Sequence, residues 1–292
     1  MTSVIEKHET RQQLLDAVEL MPELPKSVRE VLRLSNDATT SQKELVDVIK
    51  RDPVFTLKML RLVNSPYFGL SREITSINHA SVYLGLNTLK NVAVCLGIVG
   101  VVSHFNPAGL EMGAFWLHSL AVASGTRMLG AMLGVSRDEA ADYFAAGLLH
   151  DVGKVVMALH APEQFSQVRE IAIETDGVLS RMEMNHMGMT HSEIGGLLAE
   201  KWNLPRGLHD ALRLHHTPLE GKPSQLVDCV FVADQIAKKL AFGSAGDYTV
   251  LELPQPIQDR FSLDLNGLIK EMGSLDEEVE NARIFIQLGE PG

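Results

Sequence analysis

Asp234 is the residue in this chain whose surroundings most demand a chemical explanation. Its neighbours at helical spacing are Val227, Val230, Phe231, Ala237 and Ala241, all apolar. An ionised carboxylate there costs several kcal/mol unless something compensates it. Lys238, one turn on, is one compensator; a metal cation is the other. Asp151 poses the same question. The pair His150-Asp151 follows the small and apolar run 145–149 and precedes the apolar run 155–159, with Lys154 as the alternative partner at i+3. His118 sits in a helix expected over 115–133, in a stripe shared with Val122, Gly125, Leu129 and Met132. Alone it reads as a core histidine bonded to a carbonyl. Taken together, His118, His150, Asp151 and Asp234 are two imidazoles and two carboxylates from three apolar helices. That is a donor set for Fe, Mn, Zn or Ni, since imidazole is a poor ligand for Mg or Ca.

Three more histidines could extend the set. His191 opens an apolar segment, and His215 and His216 are adjacent. They could bind a second metal or a phosphate oxygen, and two metals would suit hydrolysis. Composition alone gives about 0.6 His-Asp dipeptides and about 0.4 His-His pairs, so context has to carry the argument. The other His-Asp pair, His209-Asp210, lies between Arg206 and Arg213, and a solvated helix face is expected there. Glu183 and His186 precede His191 but are expected to stand outside the site. Met182, Met184, Met187 and Met189 read as adaptable packing. His8, His79, His104 and His160 belong to no visible constellation.

The elements that must position these residues read as helices. Ser41 with Glu44 and Ser136 with Glu139 are capping boxes. Asp52-Pro53 is a helix start, and Pro66 ends the same helix by disfavouring helical geometry at Ser65. Aromatic residues are only 5%, and the one candidate strand, 248–253, is isolated. An all-α fold is expected. Proline and glycine clusters divide the chain into an N-terminal helical block (1–105), a second helical block carrying the site (106–242) and a loop with a helical tail (243–292). The loop 243–256 is expected to leave the compact body, and the tail helix to begin at the acidic run 276–280, where negative charge favours a helix N-terminus.

The charge balance, −11 with 45% hydrophobic residues, describes a folded chain unsuited to gripping nucleic-acid phosphates. Two separated cysteines, Cys95 and Cys229, suit a reducing compartment. The N-terminus lacks the apolar stretch of a signal peptide. The longest uncharged apolar stretch, 92–102, is shorter than the ~20 residues of a membrane span, so a buried helix and a cytoplasmic protein are expected.

The order His118, His150-Asp151, Asp234 is similar to the signature of the HD superfamily of metal-dependent phosphohydrolases. Leu24-Pro25, Arg51-Asp52-Pro53, Leu62-Val63-Asn64-Ser65-Pro66-Tyr67-Phe68-Gly69, Ile74-Thr75-Ser76-Ile77 and Tyr83-Leu84-Gly85 resemble the HDOD domain. So does Leu198-Ala199-Glu200-Lys201-Trp202-Asn203-Leu204-Pro205 with His215-His216. The likeness spans roughly residues 18 to 240. It implies an HD-type helical fold and a bacterial regulatory module related to HD-GYP domains. Many such modules have lost the metal ligands and act by binding partners, whereas this chain keeps His or Asp at all four positions. It lacks a Gly-Tyr-Pro motif after His216.

Two functions follow as expectations. One is a regulator with one or two structural or sensory metal ions and a signalling protein as partner, with no role for membrane or nucleic acid. The other is a metal-dependent phosphohydrolase acting on a nucleotide or other phosphoester, with Lys154 meeting phosphate charge.

Overall fold

The computed structural model describes residues 4–35, 40–102 and 109–289, and these form helices without a strand. The expected segment boundary at 105/106 lies outside the described residues. The N-terminal helices are α1 (Val4–Leu20), α2 (Lys26–Ser35), α3 (Gln42–Lys50), α4 (Pro53–Val63) and α5 (Ile77–Val101). Ser41 and Glu44 cap α3 reciprocally, and the Asp52 carboxylate accepts from the Phe55 amide at the start of α4. After α4 the chain turns back, and Asn64 clamps the turn. Its amide donates to the Ile74 carbonyl, and its oxygen accepts from the Ile74 amide.

Helix α5 is long and apolar enough to cross a membrane by length and composition, yet 61% of its most apolar window is buried inside the molecule. It is also broken. Gly85 has φ +81° and ψ 166°, a conformation that side chains with a Cβ rarely adopt. The second half of α5 is therefore a core helix. It packs against α2, α3 and α4, and also against α7 and α17, so it joins the N-terminal helices to the rest.

The remaining helices are α6 (Met112–Met132), α7 (Ala140–Leu149), α8 (Val152–His160), α9 (Pro162–Glu174), α10 (Leu179–Met187), α11 (His191–Lys201), α12 (Arg206–Leu214) and α13 (Gln225–Lys239). Four short ones follow: α14 (Gln255–Phe261), α15 (Leu265–Met272), α16 (Leu275–Ala282) and α17 (Ile284–Gly289). Helix α6 lies between α7 and α13, where small residues let the backbones approach. A Cβ on Gly147 of α7 would lie 2.6 Å from the Ala123 Cα of α6, and one on Gly125 would lie 3.2 Å from the Ala233 Cβ of α13. Helix α11 packs on α12 and α8, and α1 lies across α8, α10 and α11.

The loop 243–256 does not leave the body. Ala245, Asp247 and Leu253 are buried, and no ladder forms along 248–253. Three bonds hold the loop down. The Ser244 amide donates to the Ala114 carbonyl, the Leu251 amide donates to Gln235, and Asp247 pairs with Lys238 at 2.7 Å. The physical reason is Lys238: buried beside Asp234, it takes a second carboxylate from the loop. A helix does begin at the acidic run, with Asp276 to Glu278 in the first turn of α16, but the helical tail does not start there: α14 and α15 precede it.

Candidate metal centre

His150 and Asp151 occupy the two-residue corner between α7 and α8. Asp151 stands at the N-cap of α8, a position where its carboxylate would ordinarily bond the first-turn amides. It makes no such cap. Both oxygens point instead toward histidines. Oδ2 lies 3.3 Å from His150 Nε2 and 3.9 Å from His118 Nε2; Oδ1 lies 3.1 Å from His191 Nε2 and 3.6 Å from His215 Nε2. Asp234, on α13, brings Oδ1 to 3.1 Å from His118 Nε2. His118, His150 and Asp151 therefore gather from α6 and the α7–α8 corner, and Asp234 of α13 reaches the group through His118.

The second set gathers around the other oxygen of Asp151. His216 Nε2 is 2.8 Å from His191 Nε2, which is 3.2 Å from His215 Nε2. Donors at about 2.1 Å from one shared transition metal lie roughly 3 to 3.6 Å from each other. In the groups His118–His150–Asp151 and Asp151–His191–His215–His216 all donor atoms lie within 4.8 Å of one another, several at 2.8 to 3.3 Å, so each could hold a cation after a small closing of the wider pairs.

Tautomers point the same way. His150 Nδ1 is 2.7 Å from the Gly147 carbonyl, and His215 Nδ1 is 2.9 Å from the Leu212 carbonyl. A carbonyl can only accept, so each Nδ1 carries the proton and each Nε2 turns a lone pair inward. His118 Nε2, His150 Nε2 and Asp151 Oδ1 are buried without a hydrogen-bond partner. Polar atoms left unpaired in a dry interior are unfavourable for a protein alone and suit a bound cation.

The lysines named as alternatives are present as well. Lys154 Nζ is 2.7 Å from Asp151 Oδ2, and Lys238 Nζ is 2.8 Å from Asp234 Oδ2. Lys238 takes Asp234 Oδ2 and leaves Oδ1 to His118, whereas Asp151 Oδ2 is shared between Lys154 and the His118–His150 side and Oδ1 faces His191 and His215. Lys154 is itself buried, its charge committed to Asp151. Burial would raise both aspartates; it is outweighed at Asp151 by His150 and Lys154, and at Asp234 by Lys238 and His118. Both are held well below the usual carboxylate range. Burial lowers His118, only partly offset by Asp234, and brings His215 down to about 4. His216 is lowered by burial and by its histidine neighbours. These imidazoles are neutral at pH 7, the form that binds metal.

Glu183 joins neither group of candidate ligands but stands directly behind one of them, His191. Its carboxylate is buried on α10 and accepts from the His191 amide at 2.9 Å; its oxygens lie 2.7 and 2.8 Å from His191 Nδ1. Burial depresses His191, but the Glu183 charge outweighs it and the net shift is upward. The missed signal was the kind that exposed Asp234: Leu179 and Met187, one turn either side of Glu183, are both buried. His186 of the same helix is half-buried and joins neither group. His209 also differs from expectation. It is buried, 3.1 Å from Glu200 and 3.0 Å from Asp210, because its face of α12 packs inward.

Glu183→Gln keeps shape and removes charge. It is expected to weaken metal retention about 10- to 100-fold, as losing the carboxylate behind a ligating histidine typically does. Competition with a chromogenic chelator measures this; unchanged retention would show that Glu183 does not support a ligand.

Comparison with known proteins agrees with this architecture. The chain is 28% identical to an HDOD domain protein with unknown function from Geobacter sulfurreducens, whose crystal structure matches 95% of this chain and 98% of that one at a TM-score of 0.73. A crystal structure named as a putative phosphohydrolase, from Shewanella amazonensis SB2B, is 25% identical at a TM-score of 0.72, covering 94% of this chain and 98% of that one. An uncharacterized protein of Treponema pallidum (strain Nichols) is 29% identical over 216 residues. That match takes in 72% of this chain but 41% of the relative, so the chain spans about two fifths of the curated relative it matches. The HDOD domain model matches residues 21–218, and with the helical fold around His118, His150, Asp151 and Asp234 this places the chain in the HDOD domain family.

Proposed function

We propose that this protein is a metal-holding regulatory module. His118, His150, Asp151 and Asp234 would hold a divalent transition metal, with His191, His215 and His216 able to hold a second around the other oxygen of Asp151. The output would pass through contact with a signalling protein. One observation carries this reading. Six of the seven residues are at most 2% exposed, and only His216 is half-buried. A centre so enclosed is suited to tying helices together, its binding energy adding to that of the fold. It draws on α6, the α7–α8 corner, α11, the end of α12 and α13. Two buried cysteines without a disulfide accord with a cytoplasmic setting.

The two-sided placement of Asp151 favours a second reading, metal-dependent phosphoester hydrolysis, and the likeness to the Shewanella amazonensis protein supports it. In that reading the metal would supply Lewis acidity and a more acidic water. Asp151 would then hold the two histidine sets in register, Glu183 would orient His191, and substrate would have to enter past His216.

Elemental analysis of protein purified without added metal or chelator comes first, and near-stoichiometric transition metal is the expected result. Metal-free protein would end both readings. Mn- and Fe-loaded protein is then screened against nucleotides and phosphodiesters. Metal bound without turnover is the outcome expected of the regulator. Turnover abolished by His150→Ala would overturn it in favour of the hydrolase.

A further inference from the structure

A cavity of about 780 Å³ opens at the far ends of α6 and α7 from the metal centre, and none of the seven metal-site residues lines it. Arg127 lies nine residues beyond His118 on α6, about 13 Å along the axis. The cavity is walled instead by motifs that sequence could explain only as structural, Tyr67-Phe68-Gly69 and Tyr83-Leu84-Gly85, together with α5 and α7. Its volume is in the range of small-molecule sites, roughly 300 to 1,000 Å³.

Three kinds of chemistry line it. One wall is a single stripe of α5, where Thr88, Asn91, Val92 and Cys95 recur at helical spacing. Asn91 is 2% exposed, and its Nδ2 donates to the Asn87 carbonyl at 3.0 Å and to Asp142 Oδ1 at 2.8 Å. Both partners are acceptors, so the amide cannot be flipped, and its Oδ1 is left buried without a donor. A second wall is aromatic: Tyr67, Phe144 and Phe285 pack with ring centres 4.6 to 5.0 Å apart. Tyr83 adds a ring that is 58% exposed. The third is charged. Arg127 is engaged by Glu278 and lies over Tyr67, whereas Arg137 is exposed and has no ion pair among the described residues. Asp138 stands beside it.

We propose that this cavity binds a purine nucleotide. A flat base answers the aromatic surfaces, and its N–H groups offer the donor that Asn91 Oδ1 lacks. The ribose hydroxyls answer the Asp138 carboxylate, and the phosphate answers Arg137. No smaller fragment meets all three: phosphate leaves Asn91 unpaired, and a nucleoside leaves Arg137 unpaired. The site is independent of the metal centre.

The test is calorimetric titration of AMP and GMP into the full chain, with adenosine, guanosine and inorganic phosphate as comparison ligands. At least one nucleotide is expected to bind once per chain, more tightly than its nucleoside or phosphate. Arg137→Ala and Tyr83→Ala alter exposed side chains and leave the fold intact; each is expected to weaken binding about tenfold. Ala141→Phe places a ring in the cavity without removing any bond and is expected to abolish it. No binding of either nucleotide at about 1 mM would overturn the proposal. So would undiminished affinity in all three variants, which would put the ligand elsewhere, or nucleoside or phosphate binding as tightly as nucleotide.

Discussion

Gly153→Ala is expected to destabilise the protein by about 3 kcal/mol or more and to release its metal together. Gly153 opens α8 two residues after Asp151, and its Cα faces the backbone of α11. A methyl group there would overlap the His191 carbonyl oxygen and lie 2.9 Å from the carbonyl carbon and 3.0 Å from the Gly195 amide. Neither obstacle is a side-chain end that can rotate away. The helices must separate, and since one carries Asp151 at its start and the other His191, the 3.1 Å approach of these two residues opens with them. Thermal unfolding and metal content of the same sample report the two effects. Full stability with full metal would show that α8 and α11 are not in contact as described.

Asp151→Ala is the second large effect, and here stability and metal can be separated. The carboxylate is the residue shared by both histidine groups, so metal is expected to be lost entirely. The substitution also strands the Lys154 ammonium, which is 1% exposed and bonded to Asp151. Removing one member of a buried ion pair typically costs about 3–5 kcal/mol, because the other charge remains in a dry interior. Asp151→Ala combined with Lys154→Met removes both charges. The double variant is expected to recover much of that stability while remaining metal-free. Recovery of metal in the double variant would remove Asp151 from the site, and a stable single variant would show that Lys154 finds water.

The helices and their ends were legible because local chemistry dictates them: the Ser41–Glu44 box, Asp52-Pro53 at the start of α4 and the acidic first turn of α16 all stand where capping rules put them. So was the candidate site in outline. A charged residue set among apolar ones is marked as buried whatever the fold; the apolar runs on either side picked out Asp151, and the apolar helical neighbours Val227, Val230, Phe231 and Ala237 picked out Asp234. Glu183 carried a weaker mark on α10, Leu179 and Met187 at i±4, and the polar residues around it, Arg181, Asn185 and His186, obscured it.

Which residue meets which was beyond local reading. His191 comes 40 positions after Asp151 in the chain, and nothing in either neighbourhood says that α8 and α11 touch. Gly153 and the packing of α11 on α8 bring them together. Lysine as partner for each aspartate does not exhaust the carboxylate: Asp234 Oδ2 meets Lys238 while Oδ1 faces His118, and Asp151 Oδ2 meets Lys154 while Oδ1 faces His191 and His215, an arrangement that only the tertiary structure shows. The loop 243–256 gave no local sign that it would turn back; Lys238, too buried to be served by one carboxylate, holds it through Asp247. Local sequence sets which side chains must be buried and where each helix stops, since those energies are counted within a turn or two. Which buried groups share a partner depends on how helices distant in the chain pack, and that belongs to the tertiary structure alone.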